Sequence, residues 1–179
     1  VKLTGVPPGL VYARLLPGAK TFTPVRSLNG QPSEGFSLAA SAAGDVAATW
    51  LADKLFVNFS RDGGATFTPN TELNPTYNPC NCCTTRAAYG ADGKLAILYR
   101  EETNNERDMY LVLADREGHQ KRTRVSTTLW KVNGCPMTYY SLTATNDGYL
   151  AAWPTKGDIY FARLNLDGAV LSPGEVKTR

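Results

Sequence analysis

Apolar and polar residues alternate along this chain in short runs, and a Gly- or Pro-containing segment interrupts them every ~10 residues. Period-two alternation bounded by turn residues predicts half-buried strands, and nowhere is the 3.6-residue period of an amphipathic helix sustained. The pattern predicts strands near residues 37–42, 45–51, 54–60, 86–90, 94–100, 108–114, 141–145, 149–153 and 158–164, with almost no helix. The fold class expected is therefore all-β.

The runs repeat on a scale of roughly 45 to 55 residues, the range of propeller blades. One element is a hairpin, at residues 37–51, 85–100 and 141–154. Each copy has a strand, a Gly-containing two-residue turn (Gly44-Asp45, Asp92-Gly93 or Asp147-Gly148), and a second strand ending on Trp50, Tyr99 or Trp153. Such turn pairs supply the positive φ that a tight hairpin requires. The second element, at residues 10–22, 55–67, 108–122 and 158–171, carries a turn glycine at Gly18, Gly63, Gly118 and Gly168. Tyr12-Ala13-Arg14-Leu15 and Phe161-Ala162-Arg163-Leu164 are nearly one tetrapeptide, so the first and last copies support each other. Four antiparallel strands per unit make a β-propeller blade. Residues 1–179 then form one domain of about three and a half blades, with portions 1–30, 31–75, 76–128 and 129–179. A ring left open exposes strand edges, so completion of a larger propeller by a partner chain or a further segment is expected. A compact four-bladed ring that uses residues 1–8 for the missing strands is the alternative.

Within the second copy, Ser60-Arg61-Asp62-Gly63-Gly64-Ala65-Thr66-Phe67 can build a turn unaided. Asp62 can accept turn amides, the two glycines allow left-handed geometry, and Phe67 can pin the turn. The octapeptide resembles the Asp box of sialidases and related propellers, which implies a ring of about six blades. In that family the box is structural, so the resemblance implies no catalytic role for Asp62. Cys80-Asn81-Cys82-Cys83, Arg107-Asp108, Trp130 and Gly134-Cys135-Pro136 resemble a bacterial subfamily of exported sialidase-like propellers. Where that pattern has His after Cys-Pro, this chain has Met137.

Composition narrows the function classes. With 19 basic and 16 acidic residues well mixed, nucleic acid is not an expected partner. The small cluster Lys121–Arg124 is expected to be a solvated face. No run approaches the ~18 apolar residues of a membrane span. Val1 leads into Lys2 and Pro7-Pro8 rather than into a charged and then apolar leader, so a leader is expected to be absent or removed. Four Cys and a single His disfavour a His-rich zinc site, and the even count fits an oxidising compartment. A periplasmic or extracellular location is expected.

Strand alternation sends residues 23–36, 52–53, 69–84, 101–107, 123–139 and 155–157 to one face, and all four cysteines lie there. Aligning Asp92-Gly93 with Asp147-Gly148, an offset of 55, superposes Cys80 on Cys135 and Cys82 on Met137. Cys80, Cys82, Cys83, Cys135 and Met137 should therefore converge across two adjacent blades. Two chemistries fit. One is a disulfide, Cys80–Cys135 or a vicinal Cys82–Cys83 bridge. The other is a soft thiolate and thioether metal or redox site, with Cu(I) the first choice of ion and zinc the second. A third reading is a sialidase-type glycoside hydrolase, which needs arginines for a sugar carboxylate and a Tyr nucleophile. Arg86, Arg100, Arg107 and Tyr139 are the candidate glycan ligands, with Glu101, Glu102, Asp108 and Tyr140 nearby, but the Arg-Ile-Pro signature is missing. Arg107-Asp108 reads as a salt bridge or loop clamp, and His119 as a solvated turn residue.

Overall fold

The computed structural model describes residues 9–176, and every regular element among them is a strand. A ribbon of Val11–Tyr12 (β1) and Arg26–Ser27 (β2) comes first. The first four-stranded sheet holds Glu34–Ala40 (β3), Val46–Leu51 (β4), Leu55–Ser60 (β5) and Thr71–Glu72 (β6). The second holds Thr85–Tyr89 (β7), Leu95–Arg100 (β8), Met109–Ala114 (β9) and Gln120–Arg124 (β10). The third holds Ser141–Thr145 (β11), Gly148–Thr155 (β12), Asp158–Asn165 (β13) and Val170–Val176 (β14). Each sheet is an antiparallel meander in chain order, so the blade-like, all-β architecture expected from the alternation is present. The nine predicted strands coincide with β3–β5, β7–β9 and β11–β13 within a few residues.

The turns follow local chemistry. Gly44 (φ 87°) and Gly93 (φ 79°) supply the positive φ expected of them, but as the last residues of three-residue turns, 42–44 and 91–93, since the Ser41 amide donates to the Asp45 carbonyl and the Gly90 amide to the Lys94 carbonyl. The third hairpin departs from the expected Asp147-Gly148 turn: Thr145 pairs with Gly148, so its two turn residues are Asn146 and Asp147. Gly148 already belongs to β12, and the reason for a glycine there is space, since a Cβ would stand 1.9 Å from the Leu164 carbonyl oxygen. At the opposite ends, Asn104-Asn105 (φ 52° and 67°) and Lys156-Gly157 (φ 55° and 90°) make two-residue turns, the latter closing β12 onto β13.

The second sheet lies between the other two, and strand alternation divides its side chains. Leu95, Ile97 and Tyr99 of β8, with Val112 and Ala114 of β9, join a cluster with Leu51, Leu55, Val57 and Phe59 of the first sheet. Ala96 and Leu98, with Met109, Leu111 and Leu113, join Tyr149, Ala151, Trp153, Ala162 and Leu164 of the third. Burying one such aliphatic or aromatic side chain contributes about 1.5–3 kcal/mol, so these two seams dominate stability. The innermost strands also touch through polar links. Thr85 Oγ1 donates to the Gly35 carbonyl at 2.7 Å, and the Ala87 amide donates to Ser37 Oγ at 3.0 Å.

The Asp-box segment is a side-chain-capped turn. Asp62 accepts the Thr66 amide (2.8 Å), the Thr66 hydroxyl (2.7 Å) and the Ser60 hydroxyl (2.7 Å), which hold its carboxyl well below the usual carboxylate range. Phe67 packs edge-on to Tyr12 at 5.4 Å, while Arg14 and Arg26 donate to the Gly63 and Gly64 carbonyls. The box therefore docks the ribbon onto the first sheet. The return strand of that ribbon is β2, beyond the expected end of the first copy at Phe22, with the Thr23 amide donating to the Arg14 carbonyl on the way. The Lys121–Arg124 cluster is exposed, as expected of a solvated face, and two of its arginines are paired there: Arg122 with Glu101 at 2.7 Å and Arg124 with Asp108 at 2.8 Å. The alternative in which residues 1–8 complete a blade lies outside the described residues.

Candidate functional site

Two loops carry the cysteines, and each is strapped to the same hairpin end. Residues 78–83 lead into β7. The Cys80 amide donates to the Arg100 carbonyl (2.8 Å), the Glu102 amide donates to the Asn78 carbonyl (2.9 Å), and Pro79 bridges Glu101. Residues 130–137 lead towards β11. The Arg107 amide donates to the Trp130 carbonyl and the Val132 amide to the Asn105 carbonyl, both at 2.9 Å, and Glu106 bridges Lys131. The β8–β9 turn is thus the common anchor, and it brings two loops 55 residues apart to one place. Positive φ at Gly134 (99°) and Met137 (49°) bends the second loop around Cys135.

The expected convergence of the cysteines is present. Cys80 Sγ lies 3.6 Å from Cys82 Sγ, 3.8 Å from Cys135 Sγ and 3.2 Å from Cys83 Sγ, and Cys83 Sγ lies 3.9 Å from Cys135 Sγ. A disulfide joins the two loops with the Cα atoms 6.6 Å apart, inside the roughly 4.4–6.8 Å that disulfides span. Its partners are Cys82 and Cys135 rather than Cys80 and Cys135, and no vicinal bridge forms, because Cys80 and Cys83 are both free and buried. The sulfurs of Cys80, Cys82 and Cys135 all lie within 4.8 Å of one another, a spacing that can hold one metal ion. Met137 is 69% exposed and reaches the cluster through its backbone amide, which donates to Cys135 Sγ at 3.4 Å.

Cationic groups surround the free sulfurs. Arg107 Nη1 donates to Cys80 Sγ at 2.8 Å, and the Cys83 S–H also donates to that sulfur. The Cys83 hydrogen bond, opposed by burial and helped by the charges of Arg107 and Arg100, brings the Cys80 pKa down to about 6. Cys83, buried and beside that anion, is pushed far up and keeps its proton. The pair thus shares one proton over the whole neutral range. Arg100 is fully buried, donates to the Arg107 and Pro154 carbonyls at 2.8 and 3.1 Å, and stands 5.0 Å from the centre of the Trp130 ring. Burial pulls its pKa below the usual arginine value.

Neither a scan against protein-family models nor a search of curated proteins finds a match for this chain. Its site is therefore read from its own geometry. The four candidate glycan ligands separate into two pairs. Arg100 and Arg107 are buried and bonded to backbone carbonyls and to Cys80, so their forks are engaged within the cysteine site. Arg86 and Tyr139 line an open depression of 290 Å³ beside Trp153, with Tyr139 73% exposed and Arg86 donating to the Thr85 carbonyl. Asp108 does not pair with Arg107; it accepts from Arg124 and, at 3.3 Å, from Ser126. Glu101 takes Arg122 and the Tyr99 hydroxyl. His119 is exposed and pairs with Asp115 at 2.8 Å.

Sequence reasoning placed Cys83 in the cysteine site but missed the part played there by the two arginines. The available signal was their position: Arg100 ends β8 and Arg107 precedes β9, at the hairpin end that receives both loops. An open cavity of 480 Å³, lined by Cys80, Cys82, Asp53, Glu102 and Arg107, gives access to the sulfurs. Cys82 also faces a second cavity of 740 Å³ bounded by Gln31, Glu34 and Asp53.

Proposed function

We propose that this chain is part of an exported, sialidase-like β-propeller binding module whose working site is a thiol–disulfide exchange centre. One observation carries the reading: Cys80 Sγ stands within 3.8 Å of both sulfurs of the Cys82–Cys135 disulfide. The thiolate is the attacking species in exchange, and Arg107 and the Cys83 S–H stabilise it on Cys80. Attack of the Cys80 thiolate on Cys82 Sγ forms a Cys80–Cys82 bond and releases Cys135 as a thiolate; attack on Cys135 Sγ releases Cys82 instead. Electrons balance within the cluster, and the Cys83 S–H is placed to follow the negative charge, 3.2 Å from one sulfur and 3.9 Å from the other. A substrate dithiol entering the cavity beside exposed Cys82 would take over the disulfide in two exchanges, leaving Cys82 and Cys135 reduced.

Export is supported by the inter-loop disulfide, which persists in oxidising compartments. Completion of a propeller by a partner chain or further segment is supported by apolar side chains on the outer sheets: Phe36 and Leu38 of β3 are 64% and 53% exposed. The glycoside hydrolase reading gains nothing from Arg107, which is bonded to Cys80, or from Arg100, which is buried and bonded to the Arg107 and Pro154 carbonyls.

The test is disulfide mapping after brief exposure of the metal-free protein to limiting dithiol, quenched with acid and alkylated. Isomers containing Cys80–Cys82 or Cys80–Cys135 are expected in the wild type. Cys80→Ser should show only Cys82–Cys135 and reduce more slowly. A single Cys82–Cys135 pairing with an unchanged rate in Cys80→Ser would refute the exchange centre.

A further inference from the structure

We infer that reduction of the Cys82–Cys135 bond turns the cluster into a three-coordinate site for one Cu(I) ion, ligated by Cys80, Cys82 and Cys135. This inference rests on the exchange reading only in requiring that the disulfide be reducible. It adds a ligand class and a control: the oxidised chain releases the ion that the reduced chain holds.

Geometry selects the ligands. A trigonal site with metal–sulfur bonds of about 2.3 Å needs sulfurs about 4 Å apart. Cys80 already stands 3.6 and 3.8 Å from its two proposed co-ligands. Breaking the disulfide separates the third pair to non-bonded contact while the backbone straps keep the loops in place, since none of the straps involves a cysteine side chain. Cys83 is the fourth sulfur, but it is 3% exposed and spends its S–H on Cys80 Sγ, the position of an outer hydrogen-bond donor to a ligand. The sulfurs that all lie within 4.8 Å of one another are those of Cys80, Cys82 and Cys135, without Cys83, and a three-sulfur set decides against zinc, whose structural sites close with four ligands. Thiolate softness then favours Cu(I) over harder ions. Three thiolates around one monovalent cation carry a net double negative charge, and Arg107 against Cys80 together with buried Arg100 supplies two positive charges beside it.

The redox step balances with a dithiol as reductant. Two thiols of the reductant become its disulfide, two electrons and two protons pass to Cys82 and Cys135, and Cu(I) then displaces the protons on its ligands. Oxidation of the same two cysteines by a disulfide reverses the sequence and expels the ion.

The experiment compares one sequence in two redox states. The full chain is reduced with dithiothreitol, desalted without oxygen, and titrated with the acetonitrile complex of Cu(I) against a chromophoric Cu(I) chelator. Oxidised chain is titrated alongside. Expected are one Cu(I) withheld from the chelator per reduced chain, an ultraviolet thiolate-to-copper charge-transfer band, and a retention at least about 100-fold weaker in the oxidised chain. Cys135→Ser should lose retention, whereas His119→Ala, whose ring lies outside the cluster, should keep it. Equal retention by the two redox states, or preferential retention of zinc by the reduced chain, would overturn the inference. Because both states share one sequence, a folding defect in a variant cannot imitate the result. Observed exchange at Cys80 without copper retention would remove this inference and leave the proposed function standing.

Discussion

Replacing Cys83 by Ala is the most informative perturbation of the site, because its S–H is the largest influence holding Cys80 at a pKa of about 6, against an ordinary value of 9.0. A hydrogen bond to a charged group contributes about 1.5–3 kcal/mol, and a thiol is a weak donor, so about 1.5 kcal/mol is the working figure. One pKa unit corresponds to about 1.4 kcal/mol, so the Cys80 pKa should rise by about one unit, to about 7. At about pH 6 the thiolate fraction then falls from about a half to about a tenth, while a less stabilised thiolate gains about threefold in intrinsic nucleophilicity. The net rate changes only about twofold at that pH, but the midpoint of the pH profile moves by a full unit, and the plateau above it rises about threefold. The assay is therefore the pH dependence of iodoacetamide modification, located at Cys80 by mass spectrometry with the disulfide intact. Ultraviolet thiolate absorbance, which does not depend on reagent access, provides the second readout. The two profiles should cross. A wild-type midpoint near the ordinary thiol value, or no movement in Cys83→Ala, would show that the pair does not share its proton as described.

Three further outcomes are expected. Removing the disulfide with Cys82→Ser and Cys135→Ser together should cost about 4 kcal/mol by loop-closure entropy for a separation of 53, read from denaturant midpoints. The far-ultraviolet sheet signal should persist, since neither apolar cluster contains a cysteine. Gly148→Ala should be far more damaging than Gly93→Ala in thermal melts: the first drives a Cβ into the Leu164 carbonyl, whereas the second meets open space and costs about 1–2 kcal/mol of left-handed strain. Finally, the lowered Cys80 pKa makes the unfolded chain the better proton binder between its two values. Its contribution is complete above 9.0 and is lost as pH falls through about 6, amounting to at most about 4 kcal/mol. Above 9.0 the raised Cys83 reverses the slope, so stability against urea should rise from about pH 6, peak near the ordinary thiol value of 9.0 in the wild type, and flatten in Cys80→Ala.

What the chain announced by itself was its local chemistry. Period-two alternation and Gly, Asn and Asp turns specify strands and antiparallel neighbours, because both depend on residues within a hairpin's reach. The Asp-box turn is equally local: Ser60, Asp62 and Thr66 close it with their own side chains. Even the meeting of Cys80 with Cys135 was legible, since equivalent positions in successive meanders lie side by side once the 55-residue register is recognised.

Tertiary structure decided everything that depends on ångström-scale direction between sheets. Cys80 and Cys82 are two residues apart and equally plausible partners for Cys135, yet the turn between them gives the bond to Cys82 and leaves Cys80 on Arg107. Arg100 and Arg107 have the composition of an anion clamp, but the seam between the second and third sheets encloses Arg100 and the two cysteine loops engage Arg107. Arg122 and Arg124 read as a surface cluster and are one, but only strand pleating decides that they pair with Glu101 and Asp108. A sequence states which side chains are available; which of them meet is fixed by packing angles that no single spacing encodes.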